Sequence, residues 1–323
     1  MNDLFLPIRP LRGAYIQTLM ASSRYRALGK NPMASASREV ILHCEDRVRL
    51  QGFYSPQADG VSKGLVIMLH GWEGSVNSSY ILSSGRRLYN LGYDVFRLNF
   101  RDHGESHHLN RGIFLSILLD EVFQGVHQAA GFSGGKPVFL VGFSLGGNFA
   151  LRIAAKESGH RIPNLKQVAA VSPVISPNRA CDAIDADPLI QWYFMRKWKK
   201  SLAIKNRLFP SLGLDRVLAE TNLRDMTQAL LDIYEAGYKK AHDYFDAYAV
   251  NNGWLKDVII PTLIVTAEDD PVIPVQDFFG LETSAACRMI IHQYGGHNAF
   301  IETFTRTSWV DHKLQEVFAS HLN

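Results

Sequence analysis

Two periodicities alternate along the first half of the chain. Residues 38–56, "REVILHCEDRVRLQGFYSP", switch between apolar and polar positions and predict two strands of an antiparallel hairpin. "GLVIMLHG" (64–71) is a nearly continuous apolar run, the pattern of a strand buried on both faces. Apolar positions recur at helical spacing in "SYILSSGRRLYNLG" (79–92), which predicts a helix closed by Gly92. "YDVFRLNF" (93–100) returns to strand, "LSILLDEVFQGVHQAAGF" (115–132) to helix and "KPVFLVGF" (136–143) to strand. This rhythm predicts a mostly parallel sheet with right-handed crossovers and helices on both faces.

The rhythm stops after one more strand, "LKQVAAVSPVI" (165–175). Residues 176–256 are helical in spacing and rich in aromatics, with no strand-like run. Strand patterns resume at "VIIPTLIVTAEDDP" (258–271) and "CRMIIHQYGGH" (287–297), and a final helix is predicted over 300–322. The expected organisation is one core, 38–175 with 257–323, interrupted by a helical lid over 176–256. An N-terminal extension, 1–37, is expected to pack on that core. The lid should sit over the C-terminal ends of the strands, where open α/β sheets bind ligands.

Composition narrows this little. The chain has 323 residues, 46% of them hydrophobic and 20% charged, enough for a large packed core. A net charge of +3 gives no reason to expect a nucleic-acid partner. Cys44, Cys181 and Cys287 are odd in number and widely spaced, which fits neither a disulfide framework nor a zinc site. Pro7, Arg9, Pro10 and Arg12 break up the first apolar stretch, so no signal peptide is expected, and no uncharged run reaches the roughly 18 residues of a membrane span. A cytoplasmic protein is the expectation. The oligomeric state has no signature in the sequence.

Candidate chemistry gathers where predicted strands end. Gly142, Ser144 and Gly146 form a Gly-x-Ser-x-Gly turn between a strand and a helix, the setting in which a serine hydroxyl is lifted above a sheet. A nucleophilic serine needs a base and an orienting acid, here in the chain order serine, acid, histidine. Asp270 and His297 follow the last two predicted strands and supply both. Asp270 is preferred over Asp269 because a residue before proline is biased to extended geometry, and Glu268 and Asp269 are read as turn or solvated residues. The Leu145 and Trp72 N–H groups are the expected oxyanion donors. His70 and His103 are expected to be structural, and His107 and His108 to lie at the surface or a pocket edge. No metal-ligand spacing occurs, so neither a metal nor a cofactor is expected.

In order, "LHGWEGS", "NFRDHGES", "GFSLGGN", "TAEDDPVIP" and "GGHNAF" resemble the α/β-hydrolase superfamily over roughly residues 38–320. The leader "PLRGAYIQTLM" is similar to that of its YheT-like branch. The resemblance implies an α/β-hydrolase fold and a serine esterase acting on small acyl esters without a cofactor. The alternatives are a thioesterase, a lipase, or a fold member that binds a ligand without turning it over. Many relatives have Arg-Gly where this chain has Arg101-Asp102, and Asp102 stays open between a pocket role and a loop hydrogen bond. Trp192, Tyr193 and Trp198 are the candidate substrate contacts, with packing of the lid on itself as the plainer reading. "RKWKKSLAIKNR" (196–207) is read as a solvated helix face, with transient contact to an anionic membrane surface or an acyl carrier as the alternative.

Overall fold

In the computed structural model, which describes residues 3–157, 162–234 and 236–322, the strand patterns become one eight-stranded sheet. Its strands are β1 (Arg38–His43), β2 (Arg49–Ser55), β3 (Leu65–Leu69), β4 (Asp94–Leu98), β5 (Val138–Phe143), β6 (Leu165–Val171), β7 (Thr262–Ala267) and β8 (Cys287–His292). They lie in the order β1-β2-β4-β3-β5-β6-β7-β8. β2 runs antiparallel to both its neighbours, and the pairs from β4 to β8 are parallel.

Three short helices precede the sheet: α1 (Ala14–Ser22), α2 (Arg24–Ala27) and α3 (Pro32–Ser35). The crossovers are α4 (Ser79–Asn90), α5 (Leu119–Ala130) and α6 (Leu145–Lys156). Between β6 and β7 stand α7 (Pro177–Ala186), α8 (Pro188–Leu208), α9 (Asp215–Ala219), α10 (Leu223–Ile233) and α11 (Ala241–Asp246). The last helix is α12 (Trp309–Ala319).

The unbroken apolar runs are explained by burial on two sides. Leu65, Ile67 and Leu69 of β3 point into the layer with α5 and α6, while Val66 and Met68 point into the layer with α4 and α12. All three flanking parallel strands, β3, β4 and β5, are buried at every position. Their parallel order puts the C-terminal ends of β3 and of β5 to β8 on a single edge, where the site forms.

Two predicted helices start later than their periodicity implies. Residues 115–118 are a turn leading into α5, and Arg152 Nη1 donates to the Ser116 carbonyl at 2.8 Å. Residues 301–308 are loop rather than helix, because Ser308 is the N-cap of α12 and forms a capping box with Asp311. The strand predicted from 258 begins only after Pro261, which cannot donate to the sheet.

Candidate active site

Ser144 terminates β5 and caps α6 in a conformation few L-residues adopt, φ 55° and ψ −118°. Two glycines make that turn possible. A methyl group on Gly142 would run into the Gly146 carbonyl, and one on Gly146 into the carbonyls of Leu69 and His70. The strand and helix therefore approach too closely for any side chain, and Ser144 is pushed out over the strand ends.

His297 reaches it from the loop after β8. Its Nε2 lies 2.9 Å from Ser144 Oγ, and its Nδ1 lies 2.9 Å from Asp270 Oδ2 and 3.2 Å from Oδ1. A carboxylate can only accept, so Nδ1 carries the hydrogen and Nε2 is left to accept from the serine hydroxyl. Asp270 Oδ1 also accepts from the N–H groups of Val272 and Ile273, at 2.8 and 3.0 Å, which fixes the carboxylate. All three residues are buried. Asp269 faces the other way and accepts from the Gly296 N–H at 2.8 Å, so it shapes the histidine loop without touching the imidazole. Burial raises its carboxyl above the ordinary range.

The same loop is held by the N-terminal extension. Thr18 Oγ1 accepts from the His297 N–H at 3.0 Å. Gln17, fully buried, donates to the Leu11 and Ile301 carbonyls at 2.6 and 2.8 Å and accepts from the Ile301 N–H at 3.0 Å. Gly296, at φ +50°, has Ala14, Gln17 and Thr18 against it. The sequence reading missed Gln17 and Thr18. Their signal was the "QT" of the leader, noticed only as a resemblance.

In the loop after β3, three of four successive N–H groups are already engaged. Gly71 donates to Tyr80 Oη at 2.9 Å, Glu73 to His103 Nε2 at 3.1 Å and Gly74 to the Gly71 carbonyl at 2.9 Å. Trp72 N–H has no acceptor among the described residues, and neither has Leu145 N–H at the start of α6. These are the two donors expected from the sequence. His103 stitches Arg101 to Glu73, and His70 joins Gly71 to Phe100. Burial lowers His70 to about 4 and holds His103 well below the ordinary imidazole value.

Ser144 lies between two cavities. One runs beneath the helical insertion and is walled by Leu115, Leu145, Ile184, Trp198, Leu230 and Phe245 among others. The other opens between the extension and α8 and is lined by His297, Thr18, Arg24, Ser78, Tyr193 and Lys197 among others. Trp72, Phe194 and Val272 border both and divide them. Of the proposed substrate contacts, Trp198 therefore faces the apolar cavity and Tyr193 the polar one. Trp192 faces neither: it is 57% exposed, with Arg196 over its ring at 5.4 Å, because its position on α8 points away from the sheet.

Asp102 and Lys205 answer each other. Lys205 is 0% exposed; its Nζ donates to Asp102 Oδ1 at 2.6 Å and to the carbonyls of Asn110 and His107 at 2.5 and 3.3 Å. Asp102 Oδ2 accepts from the Phe114 N–H at 2.9 Å. Burial pushes the carboxyl up and the ammonium down, and their mutual attraction opposes both shifts. Asp102 lines neither cavity: it makes the loop hydrogen bond that was one of its two expected roles, and through Lys205 it also ties α8 to the core. Its φ of +59° is one that glycine adopts without strain. The solvated reading of 196–207 fails at Lys205 for the same reason. His107 is likewise buried, with Nε2 2.8 Å from Ser201 Oγ, whereas His108 is exposed as expected.

Among the described residues no group of three His, Cys, Asp or Glu side chains is placed to hold a metal ion, and no helix is long and apolar enough to cross a membrane. The sequence profile of the serine aminopeptidase S33 family matches residues 60–303. The chain belongs to that family. Within the S33 frame, "Putative esterase YheT" of Escherichia coli (strain K12) is 24% identical over 332 aligned positions, spanning 98% of this chain and 94% of that protein. The serine hydrolase CCSP0084 of Cycloclasticus zankles superposes with a TM-score of 0.59 at 15% identity, over 88% of this chain and 99% of that one. Est1E of Butyrivibrio proteoclasticus, solved with ferulic acid bound, gives 0.57 at 17% identity, over 87% and 98%. These structures share the α/β-hydrolase fold with this S33 member. The sequence reading of the fold agrees with these structures, and that of the YheT-like branch with the Escherichia coli relative.

Proposed function

We propose that this S33 protein hydrolyses carboxylic esters through an acyl-enzyme on Ser144. The observation that carries the reading is the continuous hydrogen-bonded chain Ser144–His297–Asp270, aligned in one tautomer and buried at the strand ends. Ser144 Oγ attacks the ester carbonyl carbon as its proton passes to His297 Nε2. Asp270 holds the imidazole in register and stabilises its cation. The carbonyl oxygen gains negative charge between the Trp72 and Leu145 N–H groups, whose lack of another acceptor supports that role. The carbon–oxygen bond to the alcohol breaks, and the alcohol oxygen takes the proton from Nε2. Water then repeats the sequence and releases the acid.

The lining of the cavities favours esters over peptides with a free amino terminus. An α-ammonium group needs a carboxylate, and among the described residues no acidic side chain lines either cavity. The test is the release of p-nitrophenol from p-nitrophenyl esters of graded acyl length, beside aminoacyl p-nitroanilides. Ester turnover that vanishes in Ser144→Ala is expected. Anilide cleavage exceeding ester cleavage would overturn the reading.

A further inference from the structure

The two cavities differ in charge, and His297 belongs to only one of them. The imidazole lines the polar cavity with Ser144 and is absent from the walls of the apolar one. In the mechanism proposed above, the leaving alcohol takes its proton from His297 Nε2. The alcohol part of the substrate must therefore lie in the polar cavity. The acyl part is left to the apolar cavity under the insertion.

That polar cavity carries two cations and no acidic side chain. Arg24 of α2, an exposed residue at its rim, and the half-buried Lys197 of α8 line it, and neither makes an ion pair among the described residues. Lys197 Nζ sits 4.9 Å from the ring centroid of Tyr193, which lines the same space. Asn77, Ser78 and Ser79 add hydrogen-bonding groups. Glu73 feels the charge of Lys197, yet desolvation raises its carboxyl to about 8, so at neutral pH it does not cancel that charge. No charged side chain lines the apolar cavity.

We infer that the substrate is an ester of an apolar acyl group with an alcohol that bears an anionic group, the anion meeting Lys197 and Arg24. The inference rests on the esterase reading and adds the chemistry of the leaving group. The anion is a phosphate or a carboxylate; both accept hydrogen bonds from lysine and arginine. Arginine favours a group with two parallel acceptor oxygens, which both anions provide.

The experiment compares three esters of one acyl chain: 1-octanoylglycerol, 1-octanoylglycerol 3-phosphate and the octanoyl ester of glycolate. Each is assayed by release of octanoate from the full-length protein at low salt. The inference predicts that kcat/KM for one or both anionic esters exceeds that of the neutral ester by about tenfold or more, the size of one charged hydrogen bond. The phosphate and the carboxylate arms distinguish the source of the anion. Raising the salt should shrink the ratio. Lys197→Met should bring the ratio close to one and Lys197→Arg should keep it, and because a ratio is read, loss of folded protein cannot imitate the result. Neutral ester turned over as well as both anionic esters, with turnover lost in Ser144→Ala, overturns the inference and leaves the esterase reading standing. No turnover of any ester, including the p-nitrophenyl series, overturns both.

Discussion

The edge of the sheet and the helical insertion meet at Ser144, but they hold their residues in different ways. At the edge, position follows from backbone: Ser144, Asp270 and His297 each come just after a parallel strand, and a glycine pair or a backbone hydrogen bond fixes each turn. The insertion has no ladder of its own among the described residues. It is anchored by side chains, above all by Lys205 on Asp102 and by Tyr244, whose hydroxyl accepts from the Ser116 N–H at 2.9 Å. Under the proposed function, backbone placement suits the atoms that would react, which tolerate little displacement. Side-chain anchoring would then suit a wall that selects the substrate, since it can be changed without moving the sheet.

The difference is open to attack from both sides. Ser144→Ala or His297→Ala should remove roughly 10⁴- to 10⁶-fold of kcat, with the thermal unfolding midpoint nearly unchanged; steady-state kinetics beside calorimetry would show it. Lys205→Met should do the reverse. It leaves the Asp102 carboxylate buried without its partner, at a cost of about 3–5 kcal/mol read by urea unfolding. Asp102→Asn in that background should recover part of the loss, because the side-chain carbonyl can still accept from Phe114. Full stability in Lys205→Met would mean that the insertion is not anchored there.

Smaller effects sharpen the boundary. Thr18→Val deletes the acceptor of the His297 N–H and should cost about 1–3 kcal/mol of transition-state stabilisation, seen in kcat with KM held, and Thr18→Ser should restore it. This would place the N-terminal extension with the edge rather than with the insertion. A further effect concerns pH. Burial lowers His70, His107 and His292 to about 4, so the unfolded chain, with histidines near 6.5, takes up protons first as the pH falls. Their contribution is fully favourable to the fold above about 6.5 and is lost between there and 4, by up to about 1.4 kcal/mol per pH unit for each group. His292 sits among the rings of Phe5, Phe300 and Trp309, so His292→Phe should flatten that slope without emptying the space.

What could be read in the sequence follows the same division. The strand runs and the turns after them placed the hydrogen-bonded triad, because period and chain order encode backbone position. Asp102 could not be assigned, since its partner lies 103 residues away on a helix whose charges looked solvated. One signal was present: Trp198, Ser201, Leu202 and Lys205 are buried at spacings of three and four, so Lys205 occupies the core-facing stripe of α8. Trp192 has the ring of a substrate contact, but composition says nothing of which side of a helix faces a cavity. The two cations of the polar cavity come from α2 and α8, and only the fold brings them together.

The central claim is that Ser144 is an activated nucleophile. It is tested most directly by treating the folded protein with a fluorophosphonate and measuring intact and peptide masses, with Ser144→Ala alongside. The account predicts one adduct per chain, on the peptide that contains Ser144, and none in the variant. An unlabelled wild-type protein, or an adduct on another residue, would contradict it.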